Sequence, residues 1–196
     1  MKLALLLGAA LATTPASRSP WFSGCITYRL EARNAEGEPV ETSFGAENKL
    51  YISGNSFKML AAHSRLVELY DGRADRRQNF GLDGKLVAQA DTVRPTIQPV
   101  AATQQVLGYA CRAVQVRVPG VVSTVFFAPA LRVNPAGFRT RASGATGALL
   151  QATGGALPLR VVTTGTKAGF TLVSEATAVQ PLPLRSADFI AIASGR

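Results

Sequence analysis

The chain has 196 residues, 47% of them hydrophobic and 17% charged, with a formal net charge of +9. That balance excludes an intrinsically disordered chain and leaves enough apolar material for a real core. The basic excess does not point to nucleic acid. The densest cluster, Arg73, Arg76 and Arg77, is interleaved with Asp71 and Asp75, and no aromatic–basic motif accompanies it.

Met1 and Lys2 precede an apolar run of ten residues, Leu3 to Ala12. Such a run is half the roughly 20 residues that a membrane-spanning helix needs. It closes on Ala10-Leu11-Ala12, and Ala16 offers a second small-residue site. The expectation is a signal peptide over residues 1–16, cleaved after Ala12 or Ala16. A single domain over 21–196 and a periplasmic or secreted location follow. Ser23-Gly24-Cys25 looks like the end of a lipobox, but Pro15, Arg18 and Pro20 separate it from the apolar run.

From Phe22 to Arg33 the residues alternate. Phe22, Ile26, Tyr28 and Leu30 fall on even positions, and Cys25, Thr27, Arg29 and Glu31 on odd ones. Period two predicts a half-buried strand with Cys25 on its polar side. Short strands with turn signals follow: KLYIS, then Gly54-Asn55, then FKMLAA. RLVELY ends at Asp71-Gly72, and Asp83-Gly84 closes another hairpin. Asp91 to Val100, with Pro95 and Pro99, reads as a loop. A strand around Cys111 then turns at Pro119-Gly120 into VVSTVFFA. Asn134 to Gly137 breaks the pattern, and Ser143 to Gly155 is the best helix in the chain. LPLRVVTT and GFTLVSEATAVQPL form a last hairpin before DFIAIASGR. Dense turns and little helix predict an antiparallel sheet that curls or closes.

There are two cysteines and one histidine, His63. Each cysteine could be a core filler, a reactive thiol, a metal ligand or half of a disulfide. On parity Cys111 sits with Ala113, Gln115 and Arg117, away from Val114, Val116 and Val118. A core-filling cysteine belongs with the valines. Two cysteines on polar faces of an exported chain predict a Cys25–Cys111 disulfide.

Catalytic signatures are missing. The chain carries no G-x-S-x-G elbow, phosphate-binding loop or dinucleotide fingerprint. Cys25, Cys111 and His63 show no metal-ligand spacing. No catalytic residue, cofactor or metal is expected, and the chain reads as a non-enzyme.

Several phrases recur in order: FSGCITYRLEA, YISGNSFKM, Gly108-Tyr109-Ala110-Cys111, Gly155-Ala156-Leu157-Pro158-Leu159 and the closing DFIAIASG. In that order they resemble exported bacterial proteins similar to the LolA/LolB lipoprotein carriers, GLPGLI-type relatives included, although the closing phrase lacks the family's proline. The resemblance implies a mainly β (α+β) fold: a strongly curved antiparallel half-barrel with one or more short helices against its concave face. It also implies a lipid or lipoprotein acyl chain as ligand, and an envelope protein as partner. Phe22, Ile26, Tyr28 and Leu30 are then the expected ligand face. Either a lipophilic cavity or an ordinary filled core satisfies their alternation. The competing functions are an envelope interaction module without a small ligand, and a hydrolase with an unrecognised site.

Overall fold

The computed structural model describes residues 20–189, apart from 82, 88–93, 139–140 and 167–168. The expected signal peptide, and the closing phrase from residue 190, lie outside the described residues.

Strand β1, Gly24–Arg33, is the centre of the molecule. On one side it pairs with β3, Glu47–Ser53, and through it reaches β4, Ser56–Ala61, β5, Arg65–Asp71, β6, Arg76–Phe80, and β7, Leu86–Val87. On the other side it pairs with β12, Thr171–Pro181. Beyond that come β11, Ala156–Gly165, β10, Val121–Arg132, β9, Tyr109–Val118, and the edge strand β8, Thr96–Val106. The short β2, Pro39–Val40, pairs with the far end of β1. All these pairings are antiparallel, and the sheet is open. Each wing is a meander of sequential hairpins. Only β1 with β12 joins distant parts of the sequence.

The turns fall where the sequence places them. Gly54-Asn55 joins β3 to β4, and Pro119-Gly120 joins β9 to β10. The expected loop over 91–100 needs correction, because β8 begins at Thr96 and runs through Pro99. Proline is tolerated there because β8 is an edge strand, where no second neighbour requires its missing N–H.

Curvature shows in the packing. Phe57 and Tyr70 from one wing share a single core with Cys111 and Ala128 from the other. The covering segment bridges the two wings. It comprises a 3-10 turn over Pro135–Phe138 and helix α1, Gly144–Ala152. Phe138 stacks on Phe57 and Tyr70, with ring centroids 6.2 and 5.9 Å away. Leu150 enters the main core, while Leu149 packs against a second cluster of Val114, Val125, Phe127 and Ala156. Burying one such leucine is worth roughly 1.5–3 kcal/mol. The protein is thus mainly β, a curved antiparallel sheet with one short helix against its inner face. Among the described residues, no helix is long and apolar enough to cross a membrane.

Candidate functional site

Directly opposed residues of antiparallel strands share a face. One row therefore runs Leu30–Ser174–Val161–Val125–Val114 across β1, β12, β11, β10 and β9. The next row, farther from the helix, runs Ala32–Leu172–Thr163–Ser123–Val116–Ile97. Both lie on the inner face, since Val125 and Val114 pack with Leu149 of α1. The first row is largely covered, with Leu30, Val125 and Val114 buried. Every member of the second is half-buried. Helix α1 is too short to reach it. The result is an apolar trough along one wing of the sheet.

Its polar content is small and satisfied. Ser123 Oγ and Thr163 Oγ1 lie 2.8 Å apart in a mutual hydrogen bond. The outer face has the opposite character. Ion pairs Arg29–Glu31 at 3.0 Å and Arg160–Glu175 at 2.9 Å stand there, on the alternate positions of the same strands. Near Leu30 and Ala32, at the end of β1 flanked by β2, the wall opens into a hollow of about 560 Å³. Pro39 and Val40 line its far side, and Val40 is 42% exposed.

The four residues expected to form the ligand face separate. Ile26 and Tyr28 are 0% and 5% exposed, inside the main core. Phe22 is half-buried at the edge of that core. Leu30 is buried at the end of the covered row beside the trough. Tyr28 also ties two strands together, because its hydroxyl donates to the Pro158 carbonyl at 2.8 Å. Burial raises its pKa far above the ordinary tyrosine value. The trough residues that sequence reading missed are Val161, Leu172, Val116 and Ile97. The alternation Val114, Val116, Val118 was the available signal, but it does not say which strands lie opposite.

The Cys25–Cys111 disulfide is overturned. Both cysteines are free. Three strands, β12, β11 and β10, stand between β1 and β9. Four strand spacings amount to about 19 Å along the sheet, whereas a disulfide needs Cα atoms within about 7 Å. Cys25 does lie on the outer face, opposite Tyr51 on β3. Cys111 does not, being 2% exposed within the main core. Parity fails near Cys111 because the alternation of β9 breaks there: Cys111, Ala113 and Val114 are all buried, next to the register shift of the β8–β9 ladder opposite Arg112 and Ala113. Burial pushes both thiols above their ordinary pKa, Cys25 despite the lowering influence of Tyr51 and Lys49. Neither is an activated thiolate.

One charged pair is enclosed on the other wing. Arg77 Nε lies 2.7 Å from Glu68 Oε1, and each side chain is 15% exposed. Burial raises the Glu68 carboxyl pKa, and the neighbouring Arg77 only partly offsets it. The Arg77 guanidinium fills the space beside Gly144, where a Cβ would lie 2.0 Å from Nη1. The pair thus ties β5 and β6 to the start of α1. Among the described residues, no group of three or more His, Cys, Asp or Glu side chains could hold a metal ion.

The fold and trough define an open curved-sheet protein whose inner face is apolar and partly uncovered. No family model matches the chain, and no curated protein matches it. Among solved structures it is similar to PNGF-II, at 11% identity over 86% of this chain and 30% of that one, with a TM-score of 0.47. The chain therefore spans less than a third of PNGF-II. It is also similar to a LolA superfamily protein from Nitrosomonas europaea, at 11% identity, 89% and 92% coverage and a TM-score of 0.42. MucB follows at 12% identity, 87% and 58% coverage and a TM-score of 0.32.

Proposed function

We infer that this chain is a non-enzymatic exported envelope protein that holds a lipid or lipoprotein acyl chain, or a similar hydrophobic group, on the inner face of its sheet. The observation that carries this reading is the row Ala32–Leu172–Thr163–Ser123–Val116–Ile97, half-buried along its whole length beside a buried row. An apolar concave surface with few polar groups is what a lipophilic ligand requires. The hydroxyls of Ser123 and Thr163 satisfy each other, so the trough offers shape and apolar area rather than chemistry. That favours a binder over a catalyst. Export rests on the charged start, apolar run and small residues of 1–16. The resemblance to lipoprotein carriers names the ligand class.

Native mass spectrometry after gentle purification tests this reading. A retained acyl species that is lost in Leu172→Glu supports it. A protein that co-purifies while no lipid does replaces it with an interaction module, and turnover of an ester or glycoside replaces it with a hydrolase.

A further inference from the structure

A second pair of depressions opens away from the trough, around the turn between β3 and β4. One, of about 530 Å³, is walled by Trp21, Phe22 and Leu184. The other, of about 300 Å³, is walled by Arg73, Arg185 and Ser186. They share Ser53, Gly54, Asn55 and Leu184 as a common wall, so an apolar half adjoins a cationic half. No aspartate or glutamate lines either half. Two carboxylates close in sequence accept from backbone: Asp71 Oδ1 from Arg73 N at 3.0 Å, and Asp188 Oδ2 from Arg185 N at 2.6 Å. Neither guanidinium joins an ion pair among the described residues.

The walls are held in place. Asn55 is wedged between two glycines, with a Cβ at Gly72 placed 2.1 Å from its carbonyl oxygen and one at Gly137 placed 2.6 Å from its Cβ. The segment bearing Leu184 is pinned to Ser23, whose hydroxyl donates to Leu182 O at 2.8 Å and accepts from Leu184 N at 3.4 Å. Preformed walls lower the cost of binding.

We propose that this groove binds a single-chain anionic amphiphile, its phosphate or carboxylate head on Arg73 and Arg185 and its apolar part between Trp21, Phe22 and Leu184. Two guanidinium forks facing one depression suit such an oxyanion head. The site is separate from the trough and does not depend on the trough's function.

Trp21 is the sole tryptophan of the chain, so its fluorescence reports on this groove. The test is a titration with monomeric dodecyl phosphate, with dodecyl maltoside and inorganic phosphate as comparison probes. The expected result is a saturable Trp21 response to dodecyl phosphate that weakens with salt. Arg73→Gln with Arg185→Gln should weaken it at least about tenfold. Arg112→Gln with Arg117→Gln, which removes the same charge from exposed positions on β9, should leave it unchanged. Far-UV circular dichroism checks that each variant is folded. Equal affinity for dodecyl maltoside, equal affinity for inorganic phosphate, or equal weakening by the two arginine pairs would overturn the proposal.

Discussion

Tyr28 on β1 reaches across β12 to place its hydroxyl 2.8 Å from the carbonyl of Pro158 on β11. The two residues are 130 positions apart, and the bond clamps the curve of the sheet at its centre. Tyr28→Phe keeps the ring and removes the donor, leaving an acceptor short of a partner in a dry core. Stability should fall by about 1–2 kcal/mol, read as a lower urea midpoint with an unchanged slope. A pH effect accompanies it. The folded-state pKa of Tyr28 is raised, so its stabilisation is complete below the unfolded value of about 10 and is lost as pH rises above it. Wild-type stability should therefore decline above pH ~10, and Tyr28→Phe should flatten part of that decline.

The thiols should behave as two independent buried groups. Without reductant, the unfolded chain should titrate two thiols with a thiol-reactive reagent, and the native chain close to none. Cys25→Ala and Cys111→Ala share no partner, so their effects on unfolding free energy should add within about 0.5 kcal/mol. A double variant costing no more than either single would restore the disulfide and reject this arrangement.

Arg77→Met should be among the costlier single changes. It leaves the Glu68 carboxylate enclosed without its cation, at about 3 kcal/mol. The Glu68 pKa is already raised, and losing Arg77 raises it further. A raised carboxyl contributes stability that is present in acid and lost as pH rises through its folded value. The deficit of Arg77→Met should therefore shrink at pH 5 relative to pH 8 in urea denaturation. Adding Glu68→Gln should recover part of the loss at pH 8.

The wedge on Asn55 predicts coupling between two distant glycines. Gly72→Ala and Gly137→Ala each push a methyl against the same residue. Each should cost about 1–3 kcal/mol, or about 2–4 °C in thermal midpoint per kcal/mol for a chain this long. The double variant should cost more than the sum, because Asn55 cannot move away from one methyl without meeting the other. Strict additivity would mean that the two sites relax separately.

A single acidic substitution should separate the trough from the core. Leu172 is half-buried, so Leu172→Glu can place its carboxylate at the open side of the trough and should change stability by less than about 1 kcal/mol. Ile26→Ala empties a site that is 0% exposed and should cost about 2–5 kcal/mol. Paired chemical denaturation of the two variants checks the contrast. Equal costs would place Leu172 in a filled core.

Local chemistry in the sequence sufficed for most strands, the turns and the helix, but not for β8, because Pro95 and Pro99 read as a loop. Gly54-Asn55, Asp83-Gly84 and Pro119-Gly120 mark turns because few other residues accept those backbone angles, and Gly54, Gly84 and Gly120 do have positive φ. Alternation named the inner face of β1 correctly, because solvent and core alternate along any half-covered strand. The tertiary structure decided what local rules cannot carry. Strand order put three strands between Cys25 and Cys111, and the alternation of β9 breaks next to a register shift in the β8–β9 ladder, leaving Cys111 buried. The same pairing aligned Leu172, Val116 and Ile97 into one trough, although they are scattered over 76 positions of sequence. Whether an apolar face is filled or left open depends on what packs over it. Here a helix of nine residues covers Val114 and Val125 and stops short of the next row.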